Sequence, residues 1–159
     1  MAKKEEQTIL LVPVDFTSFS EDALVFASRL AKCMSAQLLV LHVIHDPAES
    51  PGFYARKLKT EKYLQSMEEA AEEMMQEFLD KMRLAFPGNE PIKKATPLLV
   101  IGTPVTRIVE VAENKQATMI ILGSQGRTGL SGLLLGSKAG QVVQLSTVPV
   151  TVVKTSPKS

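Results

Sequence analysis

Apolar residues along this chain follow two rhythms. Short, largely apolar runs occur at residues 8–14, 37–44, 92–101, 118–122 and 148–153. Continuous runs of that length are the mark of strands buried on both faces. Between them, apolar positions recur at three- and four-residue spacing, which predicts helices. One spans about 19–34, with Ala23, Phe26, Ala27, Leu30 and Ala31 on its inner face. Thr17, Ser18 and Ser20 offer N-caps for it, with Glu21 and Asp22 in its first turn. A long helix is predicted from about Leu58 to Ala85, with the stripe Leu64, Met67, Ala71, Met74, Phe78 and Met82. Its methionines read as core filler and Glu68, Glu69, Glu72 and Glu73 as its wet face. Pro87-Gly88 ends it. Gly102-Thr103-Pro104 reads as turn, N-cap and first-position proline of a helix through about Asn114, with Ile108, Val111 and Ala112 inside. A last helix is predicted from about Ser137 to Leu145.

Residues 46–57, with Pro47, Pro51 and Gly52, read as an irregular, mobile crossing. Pro13 falls at the end of the first run, where a missing ladder donor is tolerable, and Pro97 breaks the third, which suits an edge or end position. Strands alternating with helices imply a doubly wound α/β fold, a parallel sheet with right-handed crossovers and helices on both faces. Ligands bind such sheets beyond the carboxyl ends of the strands, where strand order reverses. If the first and fourth strands are neighbours there, Asp15 and Gly123 face each other across one crevice.

Composition narrows the function classes. A chain of 159 residues is one domain by the size prior. Its 18 basic and 17 acidic residues give a net charge of +1, so no general field draws nucleic acid or a membrane surface. The lone Cys33 excludes an internal disulfide, suits a reducing compartment and, within a helical pattern, reads as a small buried hydrophobe. No apolar run approaches bilayer length and no signal-peptide core follows the charged start. A cytoplasmic protein with frayed tails at 1–6 and 155–159 is expected.

The chemistry concentrates in residues 123–140, which hold six of the nine glycines, four of them at every third position. A buried strand, a glycine-rich loop and a helix start make a phosphate holder, because backbone N–H groups can approach an anion closely and the first helical amides lack internal partners. The competing reading is a plain connector. Gly136-Ser137-Lys138 adds a hydroxyl and a cation at the helix start, and Arg127 adds a cation in the loop. The order Gly-Ser-Lys does not fit the P-loop, and Gly-x-Gly, which the dinucleotide fingerprint requires, is absent. Asp15 serves either as a helix cap or as an acceptor for sugar hydroxyls. His42 and His45 read as packing residues, and Ser124, Ser131 and Ser137 offer no single nucleophile. No His-Glu-x-x-His, cysteine–histidine cluster or nucleophile–base pair occurs, so the residues describe a binding site without catalytic residues.

Gly123-x-x-Gly126, nine residues, then Gly136-Ser137 resembles the nucleotide-binding signature of the universal stress protein family. Ile9 to Thr17, Leu41-His42-Val43, Gly102-Thr103-Pro104 and the closing Val148 to Val153 are similar to the same family, over about residues 7–154. The resemblance implies a Rossmann-like five-stranded parallel sheet in order 3-2-1-4-5, of the adenine nucleotide alpha hydrolase-like kind. It implies ATP, ADP or AMP as ligand, with Mg²⁺ or Mn²⁺ bridging the phosphates. By position, Asp15 would meet the ribose, Val43 would hold adenine through its backbone, and Pro13 and Val14 would line the base pocket. Gly123, Ser124, Gly126, Gly136 and Ser137 would cradle the phosphates, with charge from Arg127 and Lys138. The last strand, about 148–153, would pair with its copy in a homodimer, and Val148, Val150 and Val152 suit that edge.

Three positions depart from the family pattern. Gln125 stands where many members have histidine, Gly132 where a basic residue is common, and Lys138 where a small apolar residue follows the serine. They leave the phosphate count open. The expected function is a nucleotide-dependent switch or sensor in stress response, with an unknown client protein and at most slow hydrolysis. The rivals are a true ATPase and a partner-binding scaffold with a vestigial nucleotide site.

Overall fold

The five strands form one parallel sheet in the order β3-β2-β1-β4-β5, in a computed structural model that describes residues 7–45, 61–126 and 135–155. They are β1 (Ile9–Pro13), β2 (Gln37–Ile44), β3 (Thr96–Ile101), β4 (Met119–Gly123) and β5 (Val150–Val153). Helices alternate with them: α1 (Ser18–Met34), α2 (Glu61–Ala85), α3 (Glu90–Lys93), α4 (Pro104–Asn114) and α5 (Ser137–Leu145). The doubly wound fold is the one the sequence predicts, and the strand order is the one the family resemblance implies. The expected crossing at 46–57, the start of the long helix near Leu58, Arg127 and both tail ends lie outside the described residues.

Each strand feeds two cores because its side chains alternate faces. Leu10, Val12 and Val14 from the first strand, with Leu38 and Val40 from the second, pack under α1, α2 and α3. Leu11, Leu39, Leu41 and Val43 pack instead against Val105, Ile108, Val111 and Val142 of α4 and α5. Leu10, Leu11, Val12, Val40, Ile120 and Ile121 are wholly buried, which is why these runs carry no polar alternation. The strand order reverses between β1 and β4, whose register pairs Leu10 with Met119 and Leu11 with Ile120. The chain therefore leaves β1 and β4 side by side, and the crevice expected beyond them exists.

Several local expectations are corrected. The third strand does not begin at Ile92, which lies in α3 and is fully buried. Asn89 caps that helix, its side chain accepting from the Ile92 amide at 3.1 Å, so the apolar run is split between a turn of helix and a strand starting at Thr96. On α1 the buried positions are Ser20, Ala23, Leu24, Ala27, Ser28 and Ala31. Phe26 is 36% exposed, because Leu24 occupies the inward position. On α2, Met75, Phe78, Leu79 and Met82 fill the core while Met74 is exposed. Cys33 is exposed rather than buried. The last strand is shorter than expected and starts at Val150. Pro97, as expected, lies on an edge strand.

Candidate functional site

A cleft of about 540 Å³ opens at the carboxyl ends of β1, β2 and β4, within the roughly 300–1,000 Å³ typical of small-molecule sites. Asp15 sits on its floor, one residue past Val14, whose amide continues the sheet by donating to Leu41 O at 2.7 Å. The Asp15 carboxylate is fixed from one side. Its Oδ1 accepts from the Thr17 amide at 3.2 Å, the Thr17 hydroxyl at 2.6 Å and the Ser20 hydroxyl at 2.6 Å. The same Ser20 oxygen accepts the Asp15 amide at 2.9 Å. Thr17 is the N-cap of α1, yet its side chain makes no capping bond, because its hydroxyl is turned to Asp15. Asp15 therefore does not serve as the cap of α1.

Its other oxygen, Oδ2, lies towards the glycine loop. A Cβ added at Gly126 would come within 2.8 Å of it. The loop is closed by the Gly136 amide, which donates to Ser124 O at 2.6 Å, and Ser124 N–H donates to Val153 O at 3.0 Å. A Cβ at Gly136 would lie 3.1 Å from that Ser124 carbonyl, so the close approach leaves a side chain little room. This closure brings the start of α5 against the cleft. Gly136 is its N-cap, with no side chain to cap it, and the amides of Ser137, Lys138 and Ala139 are the first of the helix, which have no intrahelical acceptors. All three residues line the cleft. A helix start with a glycine N-cap, in the same cleft as a carboxylate, can hold an anion at one end and a hydroxyl-bearing group beside it.

Of the predicted site residues, Pro13, Val14, Asp15, Val43, Gly123, Gly126, Gly136, Ser137 and Lys138 line this one cleft. Ser124 is buried beneath it and contributes backbone bonds. Arg127 lies outside the described residues. His42 packs as expected, its Nδ1 at 2.8 Å from Val14 O and its ring 4.3 Å from that of Phe16, but it also lines the cleft. So does His45, which is exposed rather than packed. Phe16 adopts φ 65°, a left-handed turn that is uncommon for a bulky residue and that redirects the chain between Asp15 and α1.

Sequence reasoning missed the far wall. Met67, Ala70, Ala71 and Met74 of α2, with Pro104 and Ile108 of α4, complete the cleft. The signal available was the single apolar stripe on α2, whose Phe78 and Met82 enter the core while Met67, Ala71 and Met74 line the cleft.

A model of the universal stress protein family matches residues 8–154. A universal stress protein of Methanocaldococcus jannaschii is 30% identical over 151 residues, which covers 91% of this chain and 93% of the relative. The Bacillus subtilis universal stress protein YxiE is 30% identical over 146 residues, covering 91% of this chain and 97% of that protein. The solved structure of the M. jannaschii protein superposes with a TM-score of 0.72 at 27% identity, over 96% of this chain and 99% of that one. A universal stress protein solved in complex with cAMP superposes with a TM-score of 0.65 at 26% identity, over 94% and 98% of the two chains.

Proposed function

The chain belongs to the universal stress protein family, and on that premise we propose that it binds an adenine nucleotide in the cleft and acts as a nucleotide-dependent switch or sensor in stress response, with at most slow hydrolysis. The observation that carries this reading is that Asp15, Gly126 and the start of α5, whose N-cap is a glycine, line one cleft. A phosphate accepts hydrogen bonds and belongs at the helix start, whereas ribose hydroxyls donate and belong at a carboxylate. The related protein solved with cAMP supports an adenine nucleotide over other phosphate esters. The intact glycine signature points to the ATP-binding type.

In this reading Ser137, Lys138 and Arg127 meet the phosphates, with the backbone of Gly123, Ser124, Gly126 and Gly136 shaping the loop. Asp15 takes the ribose, and Pro13, Val14 and Val43 take the base. Mg²⁺ or Mn²⁺ would be held mainly by phosphate oxygens and water, as Mg²⁺ commonly is. That fits the donor set, since among the described residues no three histidine, cysteine or acidic side chains cluster to hold a metal ion. When bound, such an ion neutralises phosphate charge. The Ser137 hydroxyl and Lys138 ammonium orient the phosphate chain. His42, with Nδ1 against Val14 O and its ring on Phe16, braces the floor.

Residues 1–159 are read as one domain with its core at about 7–154, cytoplasmic and homodimeric through β5. No helix among the described residues is long and apolar enough to cross a membrane. A client protein would read the nucleotide state.

The test is mass analysis of co-purified nucleotide, then calorimetric titration of ATP, ADP, AMP and cAMP with Mg²⁺. Binding that is lost in Asp15→Ala and in Gly126→Val is expected. An empty site with no heat for any of the four would overturn the reading and leave the scaffold. Rapid phosphate release abolished by Asp15→Ala would replace the switch with an ATPase.

A further inference from the structure

The wall contributed by α2 has a form that its place in the cleft does not require. Met67 and Met74 are seven residues apart, two helical turns, or about 10.5 Å along the axis. Ala70 and Ala71 lie between them on the same face, and all four line the cleft. The result is a shallow notch with a thioether at each end and two methyl groups as its floor. The cluster under α1 takes Met75, Phe78, Leu79 and Met82 from the same helix. Of the four notch residues only Ala71 is buried, while Met67 is half-buried, Ala70 is exposed and Met74 stays 39% exposed. The outer face is acidic, with Glu68, Glu69, Glu72 and Glu73 all exposed.

The notch is continuous with the polar half of the cleft, and the order of groups along it is fixed. The helix start at Ser137 takes negative charge and Asp15 takes hydroxyls, so the part of a ligand beyond the sugar extends towards β2 and α2. We infer that the Met67–Ala70–Ala71–Met74 notch covers the purine base of the bound nucleotide and selects for a flat ring. This rests on the proposed nucleotide reading. Thioether sulfur contacts aromatic rings favourably, and methionine adapts to their edges. The two alanines leave room for a ring that any larger residue would exclude. The notch therefore raises affinity for base-bearing ligands and is indifferent to ribose phosphates without a base.

Two measurements test this on the full-length protein. The first compares AMP with ribose 5-phosphate by calorimetry in the parent, Met74→Ala and Ala70→Leu. Both substituted residues are exposed, so both variants should fold, which thermal unfolding checks. AMP affinity should fall about five- to tenfold in each, with ribose 5-phosphate unchanged. The second is a footprint with dilute hydrogen peroxide, which converts thioethers to sulfoxides. Met34, on α1 and away from the cleft, is 38% exposed against 39% for Met74, so the two should oxidise at similar rates without ligand. AMP should protect Met67 and Met74 but not Met34.

If AMP binds the parent yet the variants bind it equally well and Met74 oxidises as fast as Met34, the inference is overturned and the nucleotide reading survives. If ribose 5-phosphate weakens in step with AMP, the wall acts on the whole site and the inference also fails. No heat for AMP in the parent would remove the nucleotide reading and the notch together.

Discussion

At Gly126 and Gly123 one methyl group would have opposite consequences. A Cβ at Gly126 would stand 2.8 Å from Asp15 Oδ2, and that carboxylate cannot swing freely because Oδ1 is tied to Thr17 and Ser20. A Cβ at Gly123 would instead meet Phe19, at 2.9 Å from both its Cβ and its backbone oxygen, inside the packing of α1 on β4. Gly126→Ala should therefore weaken nucleotide binding more than tenfold with little change in unfolding temperature. Gly123→Ala should cost about 1–3 kcal/mol of stability through overpacking, a drop of roughly 2–12 °C for a chain of this size. Calorimetric titration and thermal unfolding of the two variants separate the effects, and equal loss of both properties in both variants would contradict the assignment. The sequence singled out both glycines but could not tell them apart. What a Cβ would touch depends on residues more than a hundred positions away.

Among the elements, α3 shows how a local signal can be outweighed in reading and still govern the structure. Asn89-Glu90-Pro91 is an N-cap followed by a helix-starting proline, but the apolar run from Ile92 masks it. Asn89 does more than cap. Its Nδ2 donates to the buried Ser28 hydroxyl at 2.8 Å, joining α3 to α1. Asn89→Ala should cost about 1–2 kcal/mol from the cap and more from Ser28 left short of a partner. Urea unfolding would read it, and an unchanged midpoint would show that the tie carries no stability. Helix α2 is the complementary case. Periodicity placed an apolar stripe on it, but the stripe runs over a core at one end and a cleft at the other. Helical spacing cannot distinguish a neighbour that is protein from one that is ligand.

For the whole molecule, the two sheet edges differ in their capacity to pair with another chain. On β3, Gly102 N–H donates to Ile44 O at 3.0 Å, so by strand alternation the outward-facing residues are Pro97, Leu99 and Ile101. Pro97 has no N–H, and Ile101 O is taken by Arg107 Nε at 2.8 Å. That edge is blunted in the way edges commonly are. On β5, Pro149 O accepts from Ile120 N–H at 2.9 Å and Val153 O from Ser124 N–H at 3.0 Å, which turns the peptide groups of Val150 and Val152 outward. The proposed homodimer therefore has one suitable edge among the described strands. Val152→Pro removes an outward N–H while leaving the bonds to β4. It should shift the protein to monomer in sedimentation velocity with only a modest loss of thermal stability. A dimer that persists unchanged would rule out pairing through β5.

Taken alone, the sequence determined the alternation of strands and helices, the doubly wound fold class and the glycine loop that marks the ligand end of the sheet. These are local matters of period, propensity and backbone freedom, each legible within a window of some twenty residues. Resemblance to the family added the strand order and most of the site positions. Only the tertiary structure decided that Oδ1 of Asp15 is spent on Thr17 and Ser20, that Ser124 supports the cleft from beneath, and that Met67 and Met74 face it while Met75 and Met82 do not. It also decided which edge stays open. Those outcomes depend on which surfaces meet after the chain has crossed the sheet, and the cleft that residues 15, 43, 74 and 126 line together has no signature in the local pattern of any of them.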